Sequence, residues 1–210
     1  MTYSLLAARA VIGAASLALV ALTALHVLKP EIHPSRTMIS QYALGRHGWV
    51  MALCFAAFGT ASGFLFAALI SSMPSLVGRI GLAFLLAAAV GLAMAGRFPM
   101  DPVSTPRAQM SFTGKMHGVA FLIGVPCQIL AVLLLSLALG NQTAHASLPL
   151  LTLAGVVWLS LAAMIAVMLI VGPGKQPDPN GPERFLGFPN RLFMVAYGVW
   201  LLVAAWPMAR

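Results

Sequence analysis

Long apolar segments alternate with short polar ones along the whole chain. A helix needs about 20 apolar residues, at 1.5 Å per residue, to cross a bilayer core of ~30 Å. Each segment that approaches this length is predicted to be a helix, because backbone in lipid must satisfy its own hydrogen bonds. The pattern therefore predicts an all-α polytopic membrane protein, a six-transmembrane-helix bundle in which residues 1–210 form a single membrane domain. The predicted helices cover residues 5–28, 49–71, 76–96, 117–139, 148–171 and 190–206.

The composition agrees with a lipid environment. The chain is 60% hydrophobic and 8% charged, with a mean hydropathy of +0.95, whereas soluble domains are about 25% charged. Twelve Lys and Arg residues against four Asp and Glu residues give a net charge of +8. In a membrane protein this surplus reflects anionic headgroups and orientation. Membrane lipid is the predicted partner; nucleic acid is not, because no soluble segment could carry it.

The polar connections divide unequally between two faces. Loops 72–75 and 140–147 are short, whereas 29–48, 97–116 and 172–189 are longer and lie opposite them. An even number of helices puts both termini on the side of the short loops. The positive-inside rule places the long loops in the cytoplasm, because this face carries most of the charge. Its basic residues are Lys29, Arg36, Arg46, Arg97, Arg107, Lys115, Lys175, Arg184 and Arg191, and its acids are Glu31, Asp101, Asp178 and Glu183.

Small residues recur at helical spacing in two of the predicted helices. The third carries a small residue at every fourth position from Ala83 to Ala95, through Gly91, and the second contains Gly59 and Gly63 in a GxxxG pattern. Small residues let helix backbones approach closely in lipid. The pattern predicts tight helix packing.

The segment "HPSRTMISQYALGRHGW", after the first predicted helix, is the most polar part of the chain. At 100° per residue, Met38, Ile39 and Tyr42 share one face, and Ser40 lies on the other. This pattern predicts a short amphipathic helix at the membrane interface. Gly45 is predicted to end it in the left-handed conformation.

Polar side chains near the helix ends of this face are the candidates for a functional site. Asp101, His117 and Ser40 are the catalytic candidates, as an acid/base pair and a nucleophile. The structural alternative for Asp101 is an ion pair with Arg97 or Arg107 that braces the loop. No cofactor is predicted, and the lack of HxxxH or HExxH spacing argues against a metal. The candidates for a metal site would be His26, His47, Asp101 and His117.

Four motifs, "HPSRTMISQYALGRHGW", "GRFPMDP", "GKMHGVAF" and "NRLFMVAYGVW", follow each other along the chain. In this order they resemble the bacterial integral membrane family known as domain of unknown function 998, over nearly the whole chain. The resemblance implies a six-helix protein of the bacterial plasma (inner) membrane with these loops on one face. It implies no activity, because none is assigned to the family. That family commonly has an acid after Ser40, where this chain has Gln41, and the departure weakens a mechanism based on paired carboxylates.

Three classes of function stay open. The favoured one is a protein that binds a lipid or amphiphilic ligand at a cationic, His-containing pocket on one membrane face. The alternatives are a membrane-embedded lipid-modifying enzyme (an acid/base or metal-assisted hydrolase) and a small-solute transporter or structural partner, including a homo-oligomer. The lack of Asp, Glu, Lys or Arg near the bilayer centre argues against an ion pump. The predicted ligand-binding residues are Arg36, Ser40, Gln41, His47, Arg97, Arg107 and Arg191.

Overall fold

Six long helices make up most of the computed structural model, which describes residues 2–103, 105–140, 144–171 and 185–210. Each contains a segment long and apolar enough to cross a membrane. The described residues form no strand. The prediction of an all-α, six-helix membrane protein is confirmed. The helices are α1 (Thr2–Leu28), α2 (Gly48–Leu69), α3 (Leu76–Arg97), α4 (Phe112–Gly140), α5 (Ala144–Val171) and α6 (Gly187–Ala205).

The helices form a closed ring in chain order. Each packs against the next one along the chain, and α1 packs against α6. The Arg9 Nε donates a hydrogen bond to the Ala209 carbonyl at 3.4 Å, so the two chain ends lie at the same end of the bundle. The 29–48 and 97–116 connections lie at the other end. Lys175, Asp178, Glu183 and Arg184 of the third predicted loop lie outside the described residues.

Every helix except α3 begins one to five residues earlier than the sequence pattern suggests, and the structure explains this for α4 and α6. Helix α4 begins at Phe112 rather than 117, because Ser111 caps it: the Ser111 Oγ accepts a hydrogen bond from the Gly114 N–H at 3.0 Å. Such a cap satisfies one of the free N–H groups of the first turn. Helix α6 begins at Gly187 and includes Pro189 in its first turn, where a missing N–H costs nothing.

The small residues bring helix backbones together, as their spacing predicts. A Cβ atom added to Gly91 would lie 2.6 Å from the Gly124 Cα, so α3 and α4 are in backbone contact. One added to Gly59 would lie 3.0 Å from the Ala89 carbonyl oxygen of α3. Gly63, by contrast, has no neighbour within 4 Å of an added Cβ. The close contact therefore uses one of the two glycines of the GxxxG pattern.

Buried side-chain hydrogen bonds join the helices across the ring. The Tyr197 hydroxyl of α6 lies 2.7 Å from the Ser62 Oγ of α2, and Ser62 donates its own hydrogen to a carbonyl one turn earlier. The Trp200 Nε1 donates to the Ser136 Oγ at 2.9 Å, and Ser136 donates to the Leu150 carbonyl at 3.2 Å. Hydrogen bonds of this kind hold helices together in lipid. They fix α6 against α2, α4 and α5.

Candidate functional site

A short 3-10 helix, Ile39–Ala43, lies in the connection between α1 and α2. Ile39 and Tyr42 are buried, in agreement with the predicted apolar face, whereas Ser40 is partly exposed. Gly45 has φ +69°, the predicted left-handed conformation. This segment therefore presents an apolar side to the bundle and leaves Ser40 available at its edge.

The first turn of α6 holds this segment in place. The Asn190 Oδ1 accepts a hydrogen bond from the Ile39 backbone N–H at 2.8 Å, and Asn190 is only 8% exposed. The Gly187 N–H donates to the Ser35 carbonyl at 2.7 Å. Gly187 must be a glycine here, because a Cβ atom would overlap the Pro34 carbonyl oxygen. The first and fourth sequence motifs are thus in direct contact.

Arg191 joins three parts of the chain through its guanidinium group. Its Nε donates to the His26 Nε2 of α1 at 2.9 Å, and one terminal nitrogen donates to the carbonyls of Thr37 (2.6 Å) and Gly187 (3.1 Å). The other terminal nitrogen donates to the Tyr42 hydroxyl at 3.1 Å. The His26 Nδ1 faces a carbonyl one turn earlier in α1 at 2.9 Å. This assigns the ring proton to Nδ1 and leaves Nε2 as the acceptor for Arg191.

The ammonium group of Lys29 also donates its hydrogen bonds within the loop. Lys29 is only 3% exposed, and its Nζ donates to the carbonyls of Tyr42 (3.1 Å) and Leu44. In the part of the chain that the structure describes, neither Lys29 nor Arg191 has a carboxylate partner. Backbone carbonyls compensate their charges instead, so both cations stabilise the loop.

None of the other predicted ligand-binding side chains is hydrogen-bonded to Arg191 in the described structure. Arg36 lines a separate surface cavity of about 300 Å³ with His33 and Phe188. Arg97 lies over the Phe98 ring at 5.6 Å and lines a groove between α2 and α3. The remaining four are Arg107, which is exposed, and Ser40, Gln41 and His47, which are partly buried.

Asp101 braces the beginning of α4. Its Oδ2 accepts from the Ser111 backbone N–H and its Oδ1 from the Ser111 hydroxyl, both at 2.7 Å. The predicted ion pair with Arg97 or Arg107 is not found among the described residues. Because Ser111 is itself the cap of α4, the carboxylate fixes the 97–111 connection to this helix.

Two neighbouring cavities lie at this end of the bundle, and Asp101 lines the outer one. The outer cavity, of about 360 Å³, lies between the 100–110 connection, the first turns of α4 and Met168 of α5, and Asp101 is one of its walls. The inner cavity, of about 60 Å³, extends into the bundle as far as Gln128 of α4. They share four lining residues, Met38, Ser40, His117 and Phe121. The structure thus brings all three catalytic candidates, Ser40, Asp101 and His117, to one cavity.

His117 stands where the two cavities meet. Its Nδ1 lies 2.8 Å from the Phe98 carbonyl, which can only accept, so Nδ1 carries a hydrogen and Nε2 has no assigned partner. Its ring contacts Phe55 edge-on at 6.1 Å. Asp101 and His117 are not hydrogen-bonded to each other in the described structure. The ring is therefore held rigidly by α3 and α2, with one nitrogen left for a ligand.

No metal site is assembled from the described side chains. Within these residues no three His, Cys, Asp or Glu side chains are close enough to hold a metal ion. The four candidates, His26, His47, Asp101 and His117, therefore do not form such a group.

Sequence reasoning missed two residues that shape the site. Ser111 directly precedes Phe112, where α4 begins, and a serine in that position is a recognised helix-start signal, but the polar residues after Phe112 obscure it. Asn190 has no local signal, because its partner Ile39 lies far away in the chain and only the fold brings them together.

The bundle of six membrane-length helices defines the class of this protein as a multi-pass membrane protein. A family model described as "Protein of unknown function (DUF998)" matches residues 11–207, and the chain belongs to this family. No curated protein and no solved structure matches the chain. The family assigns no activity, so any function must be inferred from the outer and inner cavities.

Proposed function

We propose that this protein binds a membrane amphiphile in the groove formed by the outer and inner cavities. The observation that carries this proposal is the common wall of the two cavities, which includes Ser40 and His117. Polar groups lie at the loop end of the groove, and its deeper walls are mainly apolar. A ligand with a polar head and an apolar chain fits such a gradient.

The polar end favours a hydroxylated head such as glycerol. Both Asp101 oxygens retain lone pairs beyond the bonds from Ser111, and the His117 Nε2 of the neutral ring is an acceptor. The Ser40 hydroxyl can donate or accept. A phosphate head would instead need several N–H donors, and the Arg residues predicted to supply them lie outside this groove. The proposal therefore keeps a His-containing pocket but does not rely on a cationic one.

The groove is open to the lipid between α4 and α5. Phe121 is 37% exposed and Met168 is 38% exposed, and both line the outer cavity. Gly118 also lines it, and a Cβ atom added there would meet nothing within 4 Å. An amphiphile can enter sideways from the bilayer without leaving it.

Filling the groove tests the proposal. We expect Gly118→Leu to reduce the amount of lipid that co-purifies with the protein, measured by native mass spectrometry, because the new side chain would occupy the outer cavity. Gly155→Leu is the matched control: it lies on the exposed side of α5, and an added Cβ there also meets nothing within 4 Å. Equal lipid retention in both variants would contradict binding in the groove.

A lipid-modifying hydrolase is the second candidate, because Ser40, Asp101 and His117 line one cavity. In that case His117→Asn would abolish hydrolysis of a monoacylglycerol while the protein still binds it. If the purified protein releases no fatty acid from this substrate, the hydrolase candidate is wrong.

For the location, we propose the bacterial inner membrane with the 29–48 and 97–116 loops in the cytoplasm. The excess of basic residues on this face supports the orientation. A periplasm-dependent alkaline phosphatase fused after Arg210 should be active and one inserted in the 97–116 loop inactive. The opposite pattern would invert the orientation.

A further inference from the structure

We infer that the ligand carries a hydrogen-bond acceptor within its apolar chain, and that Gln128 binds this acceptor deep in the bundle. The inference rests on the proposed amphiphile binding and narrows the class of ligand. It starts from an amide that the fold leaves without a partner.

Gln128 lies in the membrane-spanning part of α4 and is only 1% exposed. Its side chain lines the inner cavity, and its Nε2 has no hydrogen-bond partner among the described residues. A buried polar group without a partner costs about 1–3 kcal/mol, and lipid offers no water to compensate it. An acceptor supplied by a ligand would remove this cost.

The neighbouring polar groups are already engaged. The Asn190 amide accepts from Ile39, and its nitrogen lies 3.7 Å from the Met164 sulfur. The Tyr197 hydroxyl donates to Ser62. Its oxygen also interacts with the Gln128 side chain, but the Gln128 Nε2 makes no bond of hydrogen-bond geometry there, and this oxygen could accept only one of the two N–H groups of the amide. The inner cavity therefore combines apolar walls with one unfilled amide donor, Gln128.

The position of Gln128 determines where the acceptor must lie in the ligand. His117 and Gln128 are roughly 16 Å apart along the axis of α4 at 1.5 Å per residue, which is too far for an ester carbonyl next to the head. The inner cavity, of about 60 Å³, has room for roughly four to six water-sized groups. A ketone or ether oxygen near the far end of a medium-length acyl chain fits both requirements.

The test compares two probes that differ at one atom position. They are monododecanoylglycerol and its analogue with a ketone near the far end of the acyl chain, titrated against the purified wild-type protein in detergent. We expect the keto analogue to bind about tenfold more tightly, as one buried hydrogen bond would give. Gln128→Leu should bind both probes equally. Ser160→Ala is the control and should keep the preference, because Ser160 is also buried with an unpartnered hydroxyl but is not among the residues lining the inner cavity.

The outcomes separate this inference from the proposed function. If the wild-type protein binds both probes equally, amphiphile binding stands and the role of Gln128 is refuted. If it binds neither, both proposals fail. A preference for the ketone that persists in Gln128→Leu would also refute the role of Gln128. The wild-type comparison needs no variant, so it remains decisive even if Gln128→Leu does not fold.

Discussion

Replacing Arg191 with lysine should destabilise the polar end of the bundle, because the guanidinium group joins α1, the 29–48 connection and α6. It donates four hydrogen bonds at 2.6–3.1 Å, to His26, Thr37, Gly187 and Tyr42. A hydrogen bond to a charged group contributes about 1.5–3 kcal/mol when buried. Arg191 is only half-buried, and a lysine ammonium can restore one or two of the four bonds. We therefore expect the free energy of unfolding to fall by about 2–4 kcal/mol.

Thermal unfolding in detergent, followed by tryptophan fluorescence, measures this change. Arg36→Lys is the matched control: the same substitution in the same polar face, at an exposed side chain without a hydrogen bond in the described structure. We expect a clearly lower Tm for Arg191→Lys and almost none of this shift for Arg36→Lys. If both variants melt at the wild-type temperature, the guanidinium group does not hold the loop to α6.

Three further substitutions test the contact between α3 and α4, the cap of α4 and the hydrogen bond between α6 and α2. Gly91→Ala should destabilise the α3–α4 contact by about 1–3 kcal/mol through overpacking. Gly63→Ala is the control and should leave the Tm unchanged or higher, because an added Cβ there meets open space. Equal Tm values for the two variants would refute the close contact. Asp101→Asn should lower the free energy of unfolding by about 1–2 kcal/mol. This loss and the loss in Ser111→Ala should not be additive, because the two residues share hydrogen bonds. Additive losses in a double-mutant cycle would contradict this. Tyr197→Phe should cost about 0.6 kcal/mol, the average for a hydrogen bond between membrane helices; a loss of several kcal/mol would mean that the hydroxyl has a larger role.

The helices could be predicted from the sequence because lipid imposes a simple rule on length and polarity. Their ends were harder to predict. The first turn of α4 contains Thr113, Gly114 and Lys115, whose polarity suggests a loop, and only the cap formed by Ser111 and Asp101 shows why they are helical. Local pattern was sufficient at Gly45, whose left-handed conformation depends on its own residue type.

The site was predicted in part. The sequence indicates that Ser40, Asp101 and His117 lie on one face, and the structure places them around one cavity. The sequence does not show which acceptors the N–H groups of an arginine side chain reach in the folded protein. Arg191 is therefore a candidate for headgroup binding in the sequence, but in the structure its donors are engaged by His26 and by the loop. Such long-range hydrogen bonds depend on the fold and have no local signature.

The most direct test of amphiphile binding is to locate a bound ligand by photocrosslinking. A monoacylglycerol with a diazirine in its acyl chain would be added to the membrane-embedded protein, irradiated and mapped by peptide mass spectrometry. The proposal predicts labels on Phe121 and Met168, which line the groove, and predicts that excess unlabelled lipid or Gly118→Leu removes them. Leu122, which is 71% exposed on the same helix, serves as the comparison. A ligand site in the groove would be contradicted if Leu122 were labelled equally and if neither excess unlabelled lipid nor Gly118→Leu reduced the labels.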